Sequence, residues 1–230
     1  MADTSPVDDT TGPRLGLVGR QLQLKDIAYE RLREAIVDLT LPPGTQLKEA
    51  SLAAQLGISK TPIREAFVRL EREGLVEVEP YRGATVRGYS EADLVEIFEL
   101  RGLLEGFSAA RAAEITDEAW RQQLRDNVEW SRTALGRGDV SRVATLLEDF
   151  DRLFRSRTDN PRVTELLDQI QSHVERIGRL TASVPGRLEE SVEQHARIAD
   201  AVLAGRGRTA ELLMRAHITS VMRTQMTAIS

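Results

Sequence analysis

The chain has no cysteine among its 230 residues. Disulfides, thiolate nucleophiles and Cys-ligated zinc are excluded, so any metal site must draw on His, Asp or Glu. Histidine is itself scarce at 3 residues, and aromatics make up only 4%. No apolar run approaches the about 18 residues that would span a bilayer. Residues 1–19 carry Asp3, Asp8 and Asp9 and no apolar core, so they do not read as a secretory signal. A cytoplasmic protein is expected. The net charge of −5 argues against non-specific coating of nucleic acid but leaves room for a local basic face. What is present is a globular composition, 41% hydrophobic and 29% charged, long enough for one large or two modest domains.

Periodicity divides the chain. Residues 1–21 are rich in Thr, Asp, Pro and Gly and read as a disordered arm. Leu24, Ala28, Leu32, Ile36 and Leu39 recur on one helical face, which Leu41-Pro42-Pro43-Gly44 terminates. A short helix follows, with Leu52, Ala53 and Leu56 inward and Gly57 as its stop. A third starts at Ser59 or Thr61, points Ile63, Ala66, Phe67 and Leu70 inward, and ends at Gly74. The period then changes to two. Leu75, Glu77 and Glu79 alternate with Val76 and Val78, Pro80-Tyr81-Arg82-Gly83 turns, and Ala84-Thr85-Val86 returns as a hairpin. Three helices and a hairpin over 22–88 predict a winged helix-turn-helix. From Ser90 onward six helical patterns separated by Gly or Pro breaks predict an all-α antiparallel bundle over 90–230. The fold class is therefore mainly α.

A recognition helix enters the major groove by its first turn, so the base-reading side chains must lie there. Here that turn offers Ser59, Lys60, Thr61 and Arg64. Arg64 can present its fork to a guanine edge, Lys60 can meet phosphate or guanine, and the hydroxyls can hold phosphate. At the hairpin tip Arg82 can reach the minor groove or phosphates, and Gly83 permits close backbone approach. Charge alone does not decide the matter, since ten basic residues between Lys25 and Arg87 meet ten acidic ones.

The stretches LPPGTQLKE (41–49), LAAQLGISKTPIREA (52–66), RLEREGLV (69–76) and PYRGATV (80–86) closely resemble the N-terminal domain of GntR-family transcription regulators. The resemblance implies DNA contact by Ser59, Lys60, Thr61, Arg64, Arg82 and Gly83. Leu39 stands near where many members carry Gly, so a different end to the first helix is expected. The remainder resembles the all-helical FCD effector domain of the FadR-type subfamily, through RGLLE (101–105), DRLFR (151–155) before Asn160-Pro161, HARI (195–198) and MRAH (214–217). It implies a homodimer on an inverted-repeat DNA operator, a repressor released by a small organic acid.

Many FCD domains hold a divalent metal such as Zn, Ni or Mn with one Asp and three His. The resemblance assigns Asp151, His195 and His217 to that set, with Arg155 in place of the remaining His. A guanidinium is permanently cationic and cannot ligate. Two outcomes stay open. Metal survives on three ligands, or Arg155 pairs with Asp151 and holds an effector carboxylate directly; the metal-free form is favoured. Arg101 is expected to pair with Glu105, with effector contact as the lesser reading, and His173 is expected on a helix surface. The rival function is a metal-dependent helical-bundle enzyme using Asp151, His195 and His217. It finds no nucleophile–base motif, phosphate loop or paired carboxylates in the sequence and leaves the winged-helix pattern unexplained.

Overall fold

The computed structural model describes residues 24–79, 82–180 and 186–229, except the side chains of 228 and 229. The arm expected over 1–21, the turn residues Pro80 and Tyr81, and Pro185 lie outside the described residues. In chain order the elements are α1 (Leu24–Val37), β1 (Gln46–Leu47), α2 (Glu49–Leu56), α3 (Lys60–Arg72), β2 (Val76–Glu79), β3 (Gly83–Val86), α4 (Glu91–Ala112), α5 (Glu118–Gly136), α6 (Val140–Arg155), α7 (Pro161–Leu180), α8 (Arg187–Leu203) and α9 (Gly207–Ile229).

The N-terminal unit is built as its pattern predicts. Ile36, Ile63, Phe67, Leu70 and Leu75 form its core, and Gly57 closes α2 in the left-handed region at φ 67°. Two details differ. Leu24 is exposed, and Leu39 lies beyond α1 at φ 66°, so neither continues the buried face. The hairpin gains a third strand, because β1 pairs antiparallel with β3 and gives the order β1-β3-β2. Two residues are too few to show alternation, which is why periodicity does not reveal β1.

The helical unit starts with a capping box. Ser90 Oγ accepts from Asp93 N while Asp93 Oδ2 accepts from Ser90 N, as the Ser-x-x-Asp spacing suggests. Asp117 and Asp139 cap α5 and α6. Phe98, Trp120, Leu124, Phe150, Phe154, Ile198 and Met214 meet in one core. On α9 the buried face is Ala210, Met214, His217, Ile218, Val221 and Gln225, spaced at three and four residues. Leu212 and Ala216 are exposed.

The two units meet through α7. Arg176 is wholly buried; its Nη2 donates to Arg87 O, and its guanidinium lies 5.0 Å from the Tyr89 ring centroid. His173 lies 2.6 Å through Nε2 from Glu73 O, at the end of α3, and 2.9 Å through Nδ1 from Tyr89 OH. Nε2 therefore carries the proton and donates to the carbonyl, while Nδ1 accepts from the phenol. His173 is a half-buried domain contact, not the helix-surface residue expected.

Candidate DNA-binding and effector sites

The first turn of α3 and the β2–β3 wing lie beside one groove, lined by Gln46, Lys48, Glu49, Lys60, Arg64, Arg82 and Gly83. Four of the six expected DNA contacts share it. Ser59 and Thr61 stand at the exposed start of α3, and Ser59 makes no side-chain capping bond. Arg64 is held by Glu49, its Nε lying 2.9 and 2.8 Å from the two carboxylate oxygens. Glu49 keeps the Arg64 guanidinium more firmly protonated through that hydrogen bond and its charge. Arg82 is exposed, 3.6 Å from Glu79. The sequence reading missed Gln46, Lys48 and Glu49, which reach the groove because β1 folds against β3.

Gly83 has a conformational reason to be glycine. Its φ is 99°, and a Cβ there would lie 2.3 Å from the Leu47 carbonyl oxygen. Only a residue without a side chain lets β3 cross β1 at that point.

The second site is a cavity of about 500 Å³ inside the helical unit, bounded by α4, α6, α7, α8 and α9. All five expected effector residues reach it: Arg101, Asp151, Arg155, His195 and His217. Arg101 Nε donates to Glu105 at 2.6 Å, the pair expected, and its Nη2 donates to Asp151 Oδ2 at 2.8 Å. Arg155 does not make the expected pair with Asp151. It donates instead to Gln171 Oε1 at 2.5 Å and lies 3.9 Å from Asp168, because Arg101 already occupies the Asp151 carboxylate. Arg187, which no sequence pattern marks, opens α8 onto the cavity, and its buried Nε has no hydrogen-bond partner among the described residues.

The two histidines face each other, Nε2 to Nε2 at 3.1 Å. Gln194 fixes the tautomers. Its Nε2 donates to Glu190, so its Oε1 must accept, at 2.6 Å, from His217 Nδ1. His217 Nε2 then offers a lone pair to the Nε2–H of His195, whose Nδ1 is left bare and unpartnered. Burial, and then the charge of Arg101, push the His195 pKa down to about 3. Burial and the neighbouring His195 hold His217 well below the usual imidazole range. Burial also raises Asp151 and Glu105, against the pull of Arg101.

The donor set falls short of a resident metal ion. The 3.1 Å separation suits two nitrogens on one ion with bonds of about 2.0–2.1 Å. Asp151, however, gives Oδ2 to Arg101, and its Oδ1 lies 3.9 Å from His195 Nε2. The third imidazole is an arginine, and Arg101, Arg155 and Arg187 all border the same space. Among the described residues no group of three His, Asp or Glu is placed to hold an ion. Two neutral imidazoles among three guanidiniums are a poor cage for a dication.

Comparison with known proteins matches residues 24–86 to bacterial regulatory proteins of the gntR family and residues 96–220 to the FCD domain. The Escherichia coli repressor RspR is 28% identical over 193 residues, covering 84% of this chain and 85% of that protein. A Streptomyces ambofaciens HTH-type transcriptional regulator is 34% identical, covering 84% and 81%. The gluconate operon transcriptional repressor of Bacillus subtilis is 29% identical, covering 76% and 70%. Among solved structures, Escherichia coli McbR/YncC shares the fold with a TM-score of 0.72 at 23% identity, over 90% of this chain and 99% of that one.

Proposed function

Because the chain belongs to the gntR family of regulatory proteins and carries an FCD domain, it is a transcriptional regulator, and we propose that it is a cytoplasmic repressor released by a small organic acid. Membership also sets aside the helical-bundle enzyme. Three observations support the finer reading. Relatives across most of its length are named repressors. The groove beside α3 and the wing gathers Lys48, Lys60, Arg64 and Arg82, with Arg64 positioned to read a guanine and the others to hold phosphate. The cavity is bordered by Arg155 and Arg187, cations that suit the carboxylate of an organic acid.

The observation that carries the regulatory reading is the double duty of α7. Its Gln171, Val174 and Glu175 line the cavity, and its His173 and Arg176 hold the end of α3 and the segment after the wing. A ligand that favours one placement of α7 biases the placement of α3, by at most its difference in affinity for the two placements. The operator is an inverted repeat read by a homodimer. The dimer face we assign is the outer side of α4 and α9, where Leu103, Phe107 and Leu212 are 52%, 39% and 52% exposed. The test is selection of bound duplexes from a random pool, followed by release of the selected DNA with a panel of hydroxy, dicarboxylic and sugar acids. An inverted repeat released by one of these acids supports the reading. Failure of the protein to enrich any sequence refutes it.

A further inference from the structure

Glu49 stands out in the groove beside the recognition helix. It is an acid on the face expected to meet phosphate, it is only 25% exposed, and both its oxygens are spent on one guanidinium nitrogen. A carboxylate so placed repels DNA by itself, and the site would bind phosphate more strongly without it. What it does to Arg64 is specific. By taking Nε it holds the guanidinium plane from one edge and leaves the two terminal nitrogens, Nη1 and Nη2, as a free fork. A guanine offers O6 and N7 to such a pair of donors, and the contact discriminates only if the fork arrives in the right plane. Arg64 is 63% exposed, so no packing would otherwise fix its side chain.

We propose that Glu49 is the positioning residue for base readout by Arg64, lowering affinity for DNA in general while raising discrimination at one guanine of each half-site. The inference rests on the reading of Arg64 as a base contact. Glu49 belongs to the first turn of α2 and Arg64 is the fifth residue of α3, so the ion pair also ties the two helices of the helix-turn-helix near their N-terminal ends. Lys48, the residue before Glu49, and Lys60, on the turn of Arg64, flank the pair in the groove and supply cations that need no fixed orientation. Charge for holding phosphate and geometry for reading a base are thus divided among neighbouring residues.

Glu49→Gln keeps the side-chain shape and removes the charge and the two-oxygen grip. Three proteins, wild type, Glu49→Gln and Arg64→Ala, are each used to select from a pool of random 40-bp duplexes, and the affinity of each for the wild-type consensus and for the unselected pool is measured across a salt series. If Glu49 positions Arg64, Glu49→Gln binds the unselected pool more tightly, by up to about eightfold per module at 0.1 M salt, with a salt slope steeper by about 0.9 per module. Its discrimination at the guanine falls within the about 5- to 150-fold range that a bidentate pair contributes. Arg64→Ala loses preference at the same column. If Arg64→Ala keeps that column, the reading of Arg64 itself fails and the inference falls with it. If Arg64→Ala loses the column and Glu49→Gln keeps it, with pool affinity and salt slope unchanged, Arg64 reads the base unaided. Glu49 is then only a favourable charge at the start of α2, visible as lower thermal stability, and the proposal is overturned.

Discussion

Replacing Gly83 with alanine separates two reasons for a glycine at the wing: close approach of DNA, or close approach of the protein's own backbone. The structure favours the second. The new Cβ would lie 2.3 Å from the Leu47 oxygen, about 1 Å inside contact distance, at a φ of 99° that L-residues rarely adopt. The backbone conformation alone costs about 1–2 kcal/mol. Relieving the clash means moving β1 off β3, which endangers the bonds Gly44 N to Val86 O and Val86 N to Thr45 O, each worth about 0.5–1.5 kcal/mol. The expected loss is about 2–5 kcal/mol. Gly57→Ala is the control, with a similar left-handed φ of 67° but nothing within 4 Å of the added Cβ, and it should lose only about 1–2 kcal/mol. Both tryptophans, Trp120 and Trp130, lie in the helical unit, so indole fluorescence does not report on the wing. Scanning calorimetry without DNA should show the N-terminal transition falling further in Gly83→Ala than in Gly57→Ala. Equal shifts would refute the backbone argument. Unchanged stability with lost DNA binding would return Gly83 to the DNA-contact residues.

The buried histidines make stability fall with acid. Their folded pKa values lie below the unfolded value of about 6.5, so the unfolded chain binds more protons as pH drops from there toward about 3, where His195 charges in the fold. His195 alone should cost about 2 kcal/mol between pH 7 and 5 in urea unfolding, with His217 adding in the same direction; a His195→Gln variant with the same pH slope would contradict this. Arg155→His restores an imidazole one turn from Asp151, and elemental analysis should find more bound Zn or Ni than in the wild type; no gain would place the defect in the Arg101–Asp151 pair as well. Phe107→Glu with Leu103→Glu puts two charges on the outer face of α4, and light scattering should find a monomer; a persistent dimer would move the interface elsewhere. Arg176→Met with His173→Ala should leave each unit folded but let them unfold in separate transitions, where a single shared transition would show the α7 contact to be incidental.

Periodicity made the architecture legible, because the core faces of α1 to α8 are spaced so that hydrophobic burial leaves little choice of orientation. Ser90 with Asp93, Thr116 or Asp117, and Asp139 mark three helix starts in the sequence by the side-chain chemistry of capping, and Ser90, Asp117 and Asp139 are the caps formed. Features without a period stayed hidden. The two-residue strand β1 is invisible to alternation, and with it went Gln46, Lys48 and Glu49, whose place in the groove depends on a strand pairing. The partner of Asp151 was misread for a related reason. The i, i+4 spacing to Arg155 is a local signal, whereas the guanidinium that takes the carboxylate comes from Arg101, 50 residues away in sequence. Local spacing identifies which groups are near one another, and tertiary competition decides which of them pair.

The same competition bears on the contact between α7 and the end of the DNA-reading helix, through which the proposed ligand would act. Two hydrogen bonds join α7 to the other unit, His173 to Glu73 O and Arg176 to Arg87 O, and Tyr89, which packs on the helical core between the units, bonds to His173. At about 0.5–1.5 kcal/mol for the imidazole bond and about 1.5–3 kcal/mol for the one from the charged guanidinium, they sum to roughly 2–4.5 kcal/mol, and allosteric couplings are typically about 1–3 kcal/mol. A much stronger contact would lock one arrangement whatever the cavity held, and a much weaker one would pass nothing on. Arg176 keeps the contact within that range. It is fully buried, Nε and Nη1 have no hydrogen-bond partner, and its charge is met by a carbonyl and a phenol ring in place of a carboxylate. Among the described residues no acid pairs with Arg176; one placed across that interface would tighten the contact by the added charge pairing and, on the proposed reading, would hold α7 against a ligand on its opposite face.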